Sequence, residues 1–279
     1  MAALDGVAMG ALVWPTKRDW RLAASDMVRG LLAWEIWTLL GVSDIRQRYK
    51  RSRLGQFWIT ASMAFFVAST GVVYSLLFNQ PIYDYVPLLA VNMTVWTLIS
   101  GIVTDSTTAF VQAGMYLRQD ALPKTIFVIR VLTRNLIILG HNIVIIPLVF
   151  LAFGVVPTPV AILAIPGLAL LIVAAFAVTL ISSLLCTRFR DLPQIVQNLL
   201  QIAFFVTPVL WRPEQIGESA FYLVALNPFA AFLRIVADPL RGQVPDALAY
   251  TNALLSTLIL FAIALPLFAR FRARIVYWL

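Results

Sequence analysis

The chain has 279 residues, of which 61% are hydrophobic and 12% are charged, and its mean hydropathy of +0.88 is too apolar for a soluble globular domain. The net charge of +8 would suit a nucleic-acid partner only on a soluble face, so we expect no nucleic acid and predict a protein that spans a bilayer. One Cys and one His exclude an internal disulfide and a Cys/His zinc cluster, and no metal site is expected.

The N-terminal segment consists of a tail, residues 1–23, and an amphipathic stretch, residues 24–42. In that stretch apolar residues mix with Arg29 and Glu35. The pattern predicts a helix that lies at the membrane interface. Because charge interrupts it, this helix is not expected to cross the bilayer.

Uncharged stretches of about 20 residues, the length that crosses a hydrocarbon core of about 30 Å, predict membrane-spanning helices. Such stretches lie at 57–78, 86–106, 131–153, 160–185, 194–211 and 249–269. Unpaired backbone groups are too costly in lipid, so these spans must be helical. The sequence predicts an all-α membrane protein with a six-helix bundle over 57–270, in a single transmembrane domain that covers 1–279.

The distribution of positive charge predicts the orientation of the chain. All Lys and Arg residues except Arg212, Arg234 and Arg241 lie in the N-terminal segment, in alternate connections or span ends, or in the C-terminal tail. The positive-inside rule then places both termini in the cytoplasm, in agreement with six spans. We expect a multi-pass protein of the bacterial inner membrane.

The segment between the fifth and sixth predicted spans is neither a span nor an ordinary loop. Over 219–240 its apolar pieces are about 8–12 residues long and are interrupted by Pro228 and Pro239, so they are too short to cross a bilayer. We predict re-entrant or interfacial helices that partly cap the outer mouth.

The densest basic cluster directly precedes the first predicted span. The cluster and the two residues after it are Arg46, Arg48, Lys50, Arg51, Arg53, Leu54 and Gly55. One interpretation is a topology anchor on anionic lipid headgroups, to which each charge contributes on the order of 1 kcal/mol. The other is a binding site for the pyrophosphate of a lipid-linked substrate, because Arg offers bidentate geometry.

Polar residues also occur inside the third predicted span. Arg130, Arg134 and His141 share one face of that helix, and Asp105 near the end of the second span is a plausible ionic partner for Arg134. These groups either hold helices together or line a channel.

Aromatic residues provide further candidates for a channel lining. Trp58 and Phe65 lie on one side of the first predicted span, and Phe204 and Trp211 on one side of the fifth. Together with His141 they are candidates for contact with sugar rings, which stack on aromatic faces. The alternative is a lipid-facing or interfacial aromatic belt.

The sequence has no GxxxxGK followed by Ser or Thr, so any ATP must be hydrolysed by a separate polypeptide. It also has no GxSxG or HExxH motif, and we do not expect an enzyme. No cofactor is expected in this chain itself.

Three stretches together resemble the polysaccharide-exporting permeases of the type-2 ATP-binding-cassette family. Residues 46–55, followed by Trp58, are similar to the start of the first span in permeases for O-antigen, capsule and teichoic acid. The fourth-to-fifth span region is similar at 190–193 and 204–211. The outer segment of the O-antigen branch is similar at 227–229, 234–236 and 238–242. The resemblance runs from about residue 30 to the C-terminus, although the usual proline within the first span is missing from 59–63.

The resemblance implies a transmembrane subunit of an ATP-driven exporter that moves a lipid-linked O-antigen polysaccharide from the cytoplasm to the periplasm. The implied partners are a nucleotide-binding subunit that holds ATP and Mg, a second copy of this chain, membrane lipids and an undecaprenyl-pyrophosphate-linked polymer. Leu54 and Gly55 would form the substrate entrance.

The resemblance also implies roles for two further groups of residues. The N-terminal helix and the loop residues Leu122, Pro123 and Lys124 would contact the ATPase. The segment 212–242 would act as an external gate. Its candidate residues are Asn227, Pro228, Arg234 and Pro239.

Other functions remain open. An exporter of capsule, teichoic acid or another glycolipid would have the same overall pattern. A secondary transporter should show discontinuous helices or a buried coupling carboxylate. A membrane-embedded transferase would need an acid, base or nucleophile constellation, which the sequence does not reveal.

Overall fold

The computed structural model describes residues 14–50, 52–119, 122–215, 217, 222 and 224–279. Within these residues every regular element is helical, as predicted. The α-helices in chain order are α1 (Lys17–Leu32), α2 (Trp34–Tyr49), α3 (Phe57–Leu77), α4 (Ile82–Ser106), α5 (Ala109–Gln112), α6 (Gly114–Gln119), α7 (Thr125–Asn142), α8 (Ile145–Phe153), α9 (Ala164–Arg188), α10 (Leu192–Val206), α11 (Pro228–Leu240), α12 (Ala247–Phe271) and α13 (Ile275–Trp278). Short 3-10 turns lie at Pro159–Leu163, Pro213–Gln215 and Arg272–Arg274.

Among the described residues, five helical stretches are long and apolar enough to cross a membrane. They are Phe57–Leu77, Ile82–Ser106, Thr125–Phe153, Pro159–Arg188 and Ala247–Trp278. Each overlaps one of the predicted spans, and several extend past the predicted boundary. The greatest extension is in the last stretch, Ala247–Trp278, which continues nine residues past the predicted end at residue 269.

The fifth predicted span, 194–211, coincides with the shorter helix α10. This helix has 15 residues, which gives a length of about 22 Å at 1.5 Å per residue. It ends at Val206 because Thr207 is extended, with φ −84° and ψ 140°, as favoured for a residue that precedes a proline. The six-span count therefore stays a prediction that depends on α10.

The N-terminal segment forms two helices rather than the single helix predicted over 24–42. Helix α1 begins behind a capping box, in which the Thr16 hydroxyl accepts from the backbone of Asp19 and the Asp19 carboxylate accepts from Thr16. A break at Ala33 separates α1 from α2. The predicted boundaries were wrong because two short helices, each docked on the bundle, replace one continuous helix.

Helix α4 occupies the centre of the bundle. It is apolar on all sides, and its stretch is 78% buried, against 22–33% for the other four candidate spans. It contacts α3, α7, α8, α9 and α11. A helix that is hydrophobic all round has to be surrounded by other helices or by lipid, and here the other helices surround it.

The bundle has two ends, which we call the basic end and the opposite end. At the basic end α3 and α7 begin, α4, α9 and α12 end, and helices α1 and α2 dock. At the opposite end α3 and α10 end and α4 and α12 begin. The described part of the predicted external gate lies at this opposite end; residues 216, 218–221 and 223 of it fall outside the described residues.

A short helix is present between α10 and α12, as predicted, but its prolines do not interrupt it. Pro228 occupies the first turn of α11, where its missing N–H costs nothing, and Asn227 caps the helix by accepting from the backbone of Phe229 and Ala230. Pro239 lies in the last turn. The helix is buried against α4, α9 and α12.

Candidate functional sites

The best-defined polar contact at the basic end is a buried carboxylate. Asp26 of α1 is 1% exposed. It accepts from the backbone N–H groups of Lys124 at 3.2 Å and Thr125 at 3.0 Å, and from the Thr125 hydroxyl at 2.8 Å. Arg272, directly after α12, approaches it at 3.3 Å. The carboxylate therefore fastens α1 to the start of α7 and to the C-terminal segment, and its charge suits the positive end of the α7 dipole.

Close backbone packing accompanies this carboxylate. Gly30 lies against Thr125 so tightly that an added Cβ would be 2.7 Å from the Thr125 Cβ. The predicted coupling residues Leu122, Pro123 and Lys124 are partly exposed immediately before α7. Burial lowers the pKa of Lys124 below the usual lysine value, against the opposing effect of Asp26. The structure thus brings α1 and the predicted coupling loop together.

The basic cluster before α3 stays open to solvent. Arg46 and Arg48 lie in the last turn of α2, and they, Lys50 and Arg53 are exposed. Among the described residues these four form no ion pair, in contrast to the arginines of α7. Arg51 lies outside the described residues. Unpaired cations fit both a lipid anchor and a phosphate site.

The turn into α3 depends on a glycine. Gly55 has φ +56°, a left-handed conformation that side chains with a Cβ disfavour, and nothing lies within 4 Å of the position that a Cβ would take. Leu54 beside it is 51% exposed. The two residues form an open corner between the basic cluster and the exposed face of α3.

The predicted Asp105–Arg134 contact is confirmed, at 2.8 Å, as part of a larger network. Arg134 also contacts Asp44 of α2 at 3.3 Å, and the Arg130 guanidinium binds Asp44 through two nitrogens, with Nε at 2.8 Å. Asn135 donates to Asp105 at 2.9 Å. The network joins α2, α4 and α7, which favours the helix-holding interpretation for these two arginines.

His141 does not join this network. Its Nδ1 lies 2.8 Å from the backbone oxygen of Ile137, and its own backbone oxygen accepts from the Thr60 hydroxyl of α3 at 2.9 Å. The shared helix face predicted from spacing therefore carries two separate sets of contacts.

The other candidate channel residues fall into separate places. Trp58 and Phe65 lie on the exposed side of α3, at 43% and 70% exposure. Phe204 packs against Trp96 of α4, with ring centroids 5.6 Å apart. Trp211 lies beyond the end of α10 and donates from its indole to the Phe205 backbone oxygen at 3.0 Å. The predicted helix face shared by Phe204 and Trp211 was wrong, because α10 ends before Trp211.

An open groove of about 600 Å³ lies between α4 and α10, which we call the α4–α10 groove. Its surface is mostly apolar, with amide and hydroxyl side chains among aromatic and aliphatic ones. The lining includes Trp96, Ser100, Thr104, Gln197, Gln201 and Phe204. Polar side chains at the depth of a lipid bilayer normally face protein or water, so the amide and hydroxyl groups of this groove favour a protein cover over lipid.

The predicted gate residues are arranged around α11. Asn227 donates to the Thr207 hydroxyl at 3.0 Å and so ties the cap of α11 to the end of α10. Arg234 pairs with Asp238 at 3.3 Å and with Asp246 at 3.2 Å. Within the described residues, no three His, Cys, Asp or Glu side chains form a group that could hold a metal ion.

These features define a multi-pass helical membrane protein with a docked N-terminal helix pair and an open groove between α4 and α10. The chain belongs to the ABC-2 type transporter family, which matches it over residues 35–239. Two similar proteins are each named O-antigen export system permease protein RfbA. The one from Klebsiella pneumoniae is 26% identical over 192 residues, and the one from Myxococcus xanthus is 28% identical over 197 residues. In both comparisons the match covers 68% of this chain and 74% of the relative.

Proposed function

We propose that this chain is the permease subunit of an ATP-driven exporter that moves a lipid-linked O-antigen polysaccharide from the cytoplasm to the periplasm. The observation that carries the proposal is the α4–α10 groove: an ABC-2 family chain presents aromatic and amide side chains along a groove that it does not itself cover. Such a lining offers a sugar polymer stacking surfaces and hydrogen bonds. A second copy of the chain would supply the missing wall.

The driving subunit is a separate ATP-binding-cassette protein, because this chain has no phosphate-binding loop. It binds ATP and Mg, and this chain needs no cofactor of its own. We place its docking surface on α1 and on Leu122, Pro123 and Lys124. Through Asp26, a force on α1 would reach α7 and the C-terminal segment together, because one carboxylate holds all three.

The substrate would enter at the basic cluster. The exposed, unpaired Arg46, Arg48, Lys50 and Arg53 would attract the pyrophosphate of an undecaprenyl-linked polymer, and the open corner at Leu54 and Gly55 would admit its lipid. Membrane lipids remain competing partners for the same charges. Arg51 belongs to the cluster by sequence.

The orientation follows from charge. We place the basic end and both termini in the cytoplasm of a bacterial cell and the protein in its inner membrane. In this orientation α10 is the fifth of six spans, and α11 belongs to an external gate over 212–242. The gate would be held in place by the Asn227 cap and by the ion pairs of Arg234.

The deciding experiment is deletion of this chain in its own host, with complementation by the intact chain. We expect polymer to disappear from the cell surface and to accumulate on its lipid carrier in the cytoplasm. Chemical analysis of the trapped polymer separates O-antigen from capsule, teichoic acid or another glycolipid. Normal surface polymer in the deletion strain contradicts the proposal. Export that survives loss of the nucleotide-binding subunit would instead indicate a secondary transporter.

A further inference from the structure

A second cavity lies at the opposite end of the bundle, apart from the α4–α10 groove. Its volume is about 480 Å³, within the usual range of small-molecule sites, about 300–1,000 Å³. Its wall combines the N-terminal part of α4, the segment after α10 and the C-terminal half of α11. Lining side chains include Tyr83, Asp84, Asn92, Trp211, Arg212 and Glu214.

Asn92 supplies this cavity with a buried acceptor that has no donor among the described residues. The residue is 3% exposed, and its Nδ2 donates to the backbone oxygens of Pro208 at 3.1 Å and Val209 at 3.2 Å. Its Oδ1 has no hydrogen-bond partner in the part of the chain that the structure describes. Buried polar atoms are rarely left without a partner, so Oδ1 calls for a donor on a bound molecule.

Arg212 supplies the same cavity with a buried donor, its Nε. Its Nη2 donates to the backbone oxygen of Asp84 at 3.1 Å, whereas its buried Nε has no acceptor among the described residues. The neighbouring Arg234 and Arg241 both pair with Asp238, but within the described chain Arg212 forms no ion pair. The cavity therefore offers both a free donor and a free acceptor.

The charges in the wall decide which class of ligand fits. The carboxylates of Asp84, Glu214 and Asp238 balance the three arginines that line the same cavity, so the wall favours a neutral polar ligand over a phosphate or another anion. Sugar hydroxyls both donate and accept, which matches the free groups of Arg212 and Asn92. Aromatic side chains such as Trp211 supply an apolar face for a ring.

We propose that this cavity binds a pyranose sugar, with Asn92, Arg212 and Glu214 as hydrogen-bonding residues and Trp211 as the stacking surface. The sugar class follows from the side chains of the cavity. The further statement that this sugar belongs to the exported polymer rests on the proposed function. At this end of the bundle the cavity would hold a unit of the polymer after it has passed the groove.

Binding can be measured on the full-length chain, purified in detergent together with its nucleotide-binding subunit. The probes are methyl α-D-mannopyranoside, methyl α-D-glucopyranoside and methyl α-L-rhamnopyranoside, with methyl phosphate as the anionic probe, and the readout is saturation-transfer NMR. We expect saturation of at least one pyranoside. Arg212→Gln and Glu214→Gln should each weaken its binding about tenfold, the usual effect of losing a hydrogen bond to a charged group.

Arg190→Gln is the matched control, because it makes the same substitution at an exposed arginine of the basic end. It should leave sugar binding unchanged. The proposal is overturned if no pyranoside is saturated, if the cavity variants bind as the intact chain does, or if methyl phosphate binds instead. If Arg212→Gln fails to fold, Glu214→Gln carries the test, since Glu214 is exposed and its replacement conserves size.

Two further measurements test the source of the sugar separately from the existence of the sugar site. Oligosaccharide released from the host's own surface polymer should compete with the pyranoside, as expected if the exported chain is the natural ligand. Failure to compete would overturn that source and leave the sugar site in place. Normal surface polymer in the deletion strain, with pyranoside binding intact, would refute the proposed function alone.

Discussion

At the scale of single residues, the buried carboxylate of Asp26 joins three segments that are distant in sequence, namely α1, the start of α7 and the segment after α12. Asp26→Asn removes the charge that Arg272 and the start of α7 face, with little change of volume. We expect the free energy of unfolding to fall by about 3–5 kcal/mol, the usual effect of breaking a buried ion pair by removing one partner. Denaturation of the purified chain by SDS, followed by circular dichroism, measures the change.

Asp191→Asn serves as the control for Asp26→Asn. Asp191 is exposed at the start of α10, and its side chain makes no capping hydrogen bond. The same change of charge should therefore have little effect on stability there. Equal losses in both variants would show that net charge, rather than the buried contact, governs the result.

Arg134 should behave as part of a network rather than as one half of a pair. Exchanging the charges of Asp105 and Arg134 would place the new carboxylate beside Asp44, so we expect the exchange not to restore stability. Arg134→Gln and Asp105→Asn should each destabilise the chain, and their combination should cost less than the sum by about 0.5–3 kcal/mol. A double-mutant cycle measured by SDS denaturation tests this, and additive losses would contradict it.

The sequence could predict the contact between Asp105 and Arg134 because both charges interrupt apolar spans near the same end. It could not predict Asp44 or Asp26, because their partners lie far along the chain and helix docking decides the pairing. A local signal for Asp26 did exist. Ala23 and Gly30 flank it at helical spacing, and all three are buried on one face of α1. Small residues around a charge mark a face on which another backbone approaches closely.

At the scale of elements, the apolar spans were predictable from length alone, whereas the ends of α10 and α11 were not. Thr207 and Pro208 end α10 early, although the following residues remain apolar. The sequence predicts an interruption at Pro228, but α11 begins there, because a proline in the first turn needs no N–H partner. The burial of α11 depends on its close contact with α9, which the hydrophobic periodicity of the sequence does not reveal.

That close contact can be tested at Gly167 of α9. A Cβ there would lie 2.2 Å from the backbone oxygen of Ile235. This oxygen receives no helical hydrogen bond from residue 239, because Pro239 has no N–H. Gly167→Ala should therefore push α11 away from α9 and destabilise the chain by about 1–3 kcal/mol, as overpacking does. Protease cleavage within 224–246 should become faster.

Gly140→Ala is the matched control for Gly167→Ala. Gly140 also lies within a long helix, but nothing is within 4 Å of the position of its Cβ. Alanine should be neutral there or stabilise α7 by up to about 1 kcal/mol. Unchanged stability and cleavage in Gly167→Ala would show that α11 does not depend on this contact.

At the scale of the whole molecule, the uneven exposure of the helices indicates where a second copy would bind. The exposed side of α3 carries Phe65, Val72 and Leu76 at 70%, 47% and 78% exposure, and the groove beside α10 is open. Helix α12 is likewise exposed at Leu255 and Leu258, at 56% and 59%. Apolar exposure alone therefore does not distinguish a subunit interface from a lipid-facing surface, but the amide and hydroxyl side chains of the groove favour the side that includes α10.

Cysteine cross-linking in native membranes distinguishes these two surfaces. In a Cys186→Ser background, we expect single cysteines at Gln197, Gln201 or Phe205, which line the groove on α10, to give disulfide-linked dimers for at least one position, because a second copy covers the groove. Cysteines at Leu255 and Leu258 should give none, since they would face lipid. Dimers formed only through α12, or none from either helix, would contradict the proposed arrangement. An excess of an unlabelled copy without cysteine should reduce the linked dimer in proportion, which separates a specific pair from random collision in the membrane.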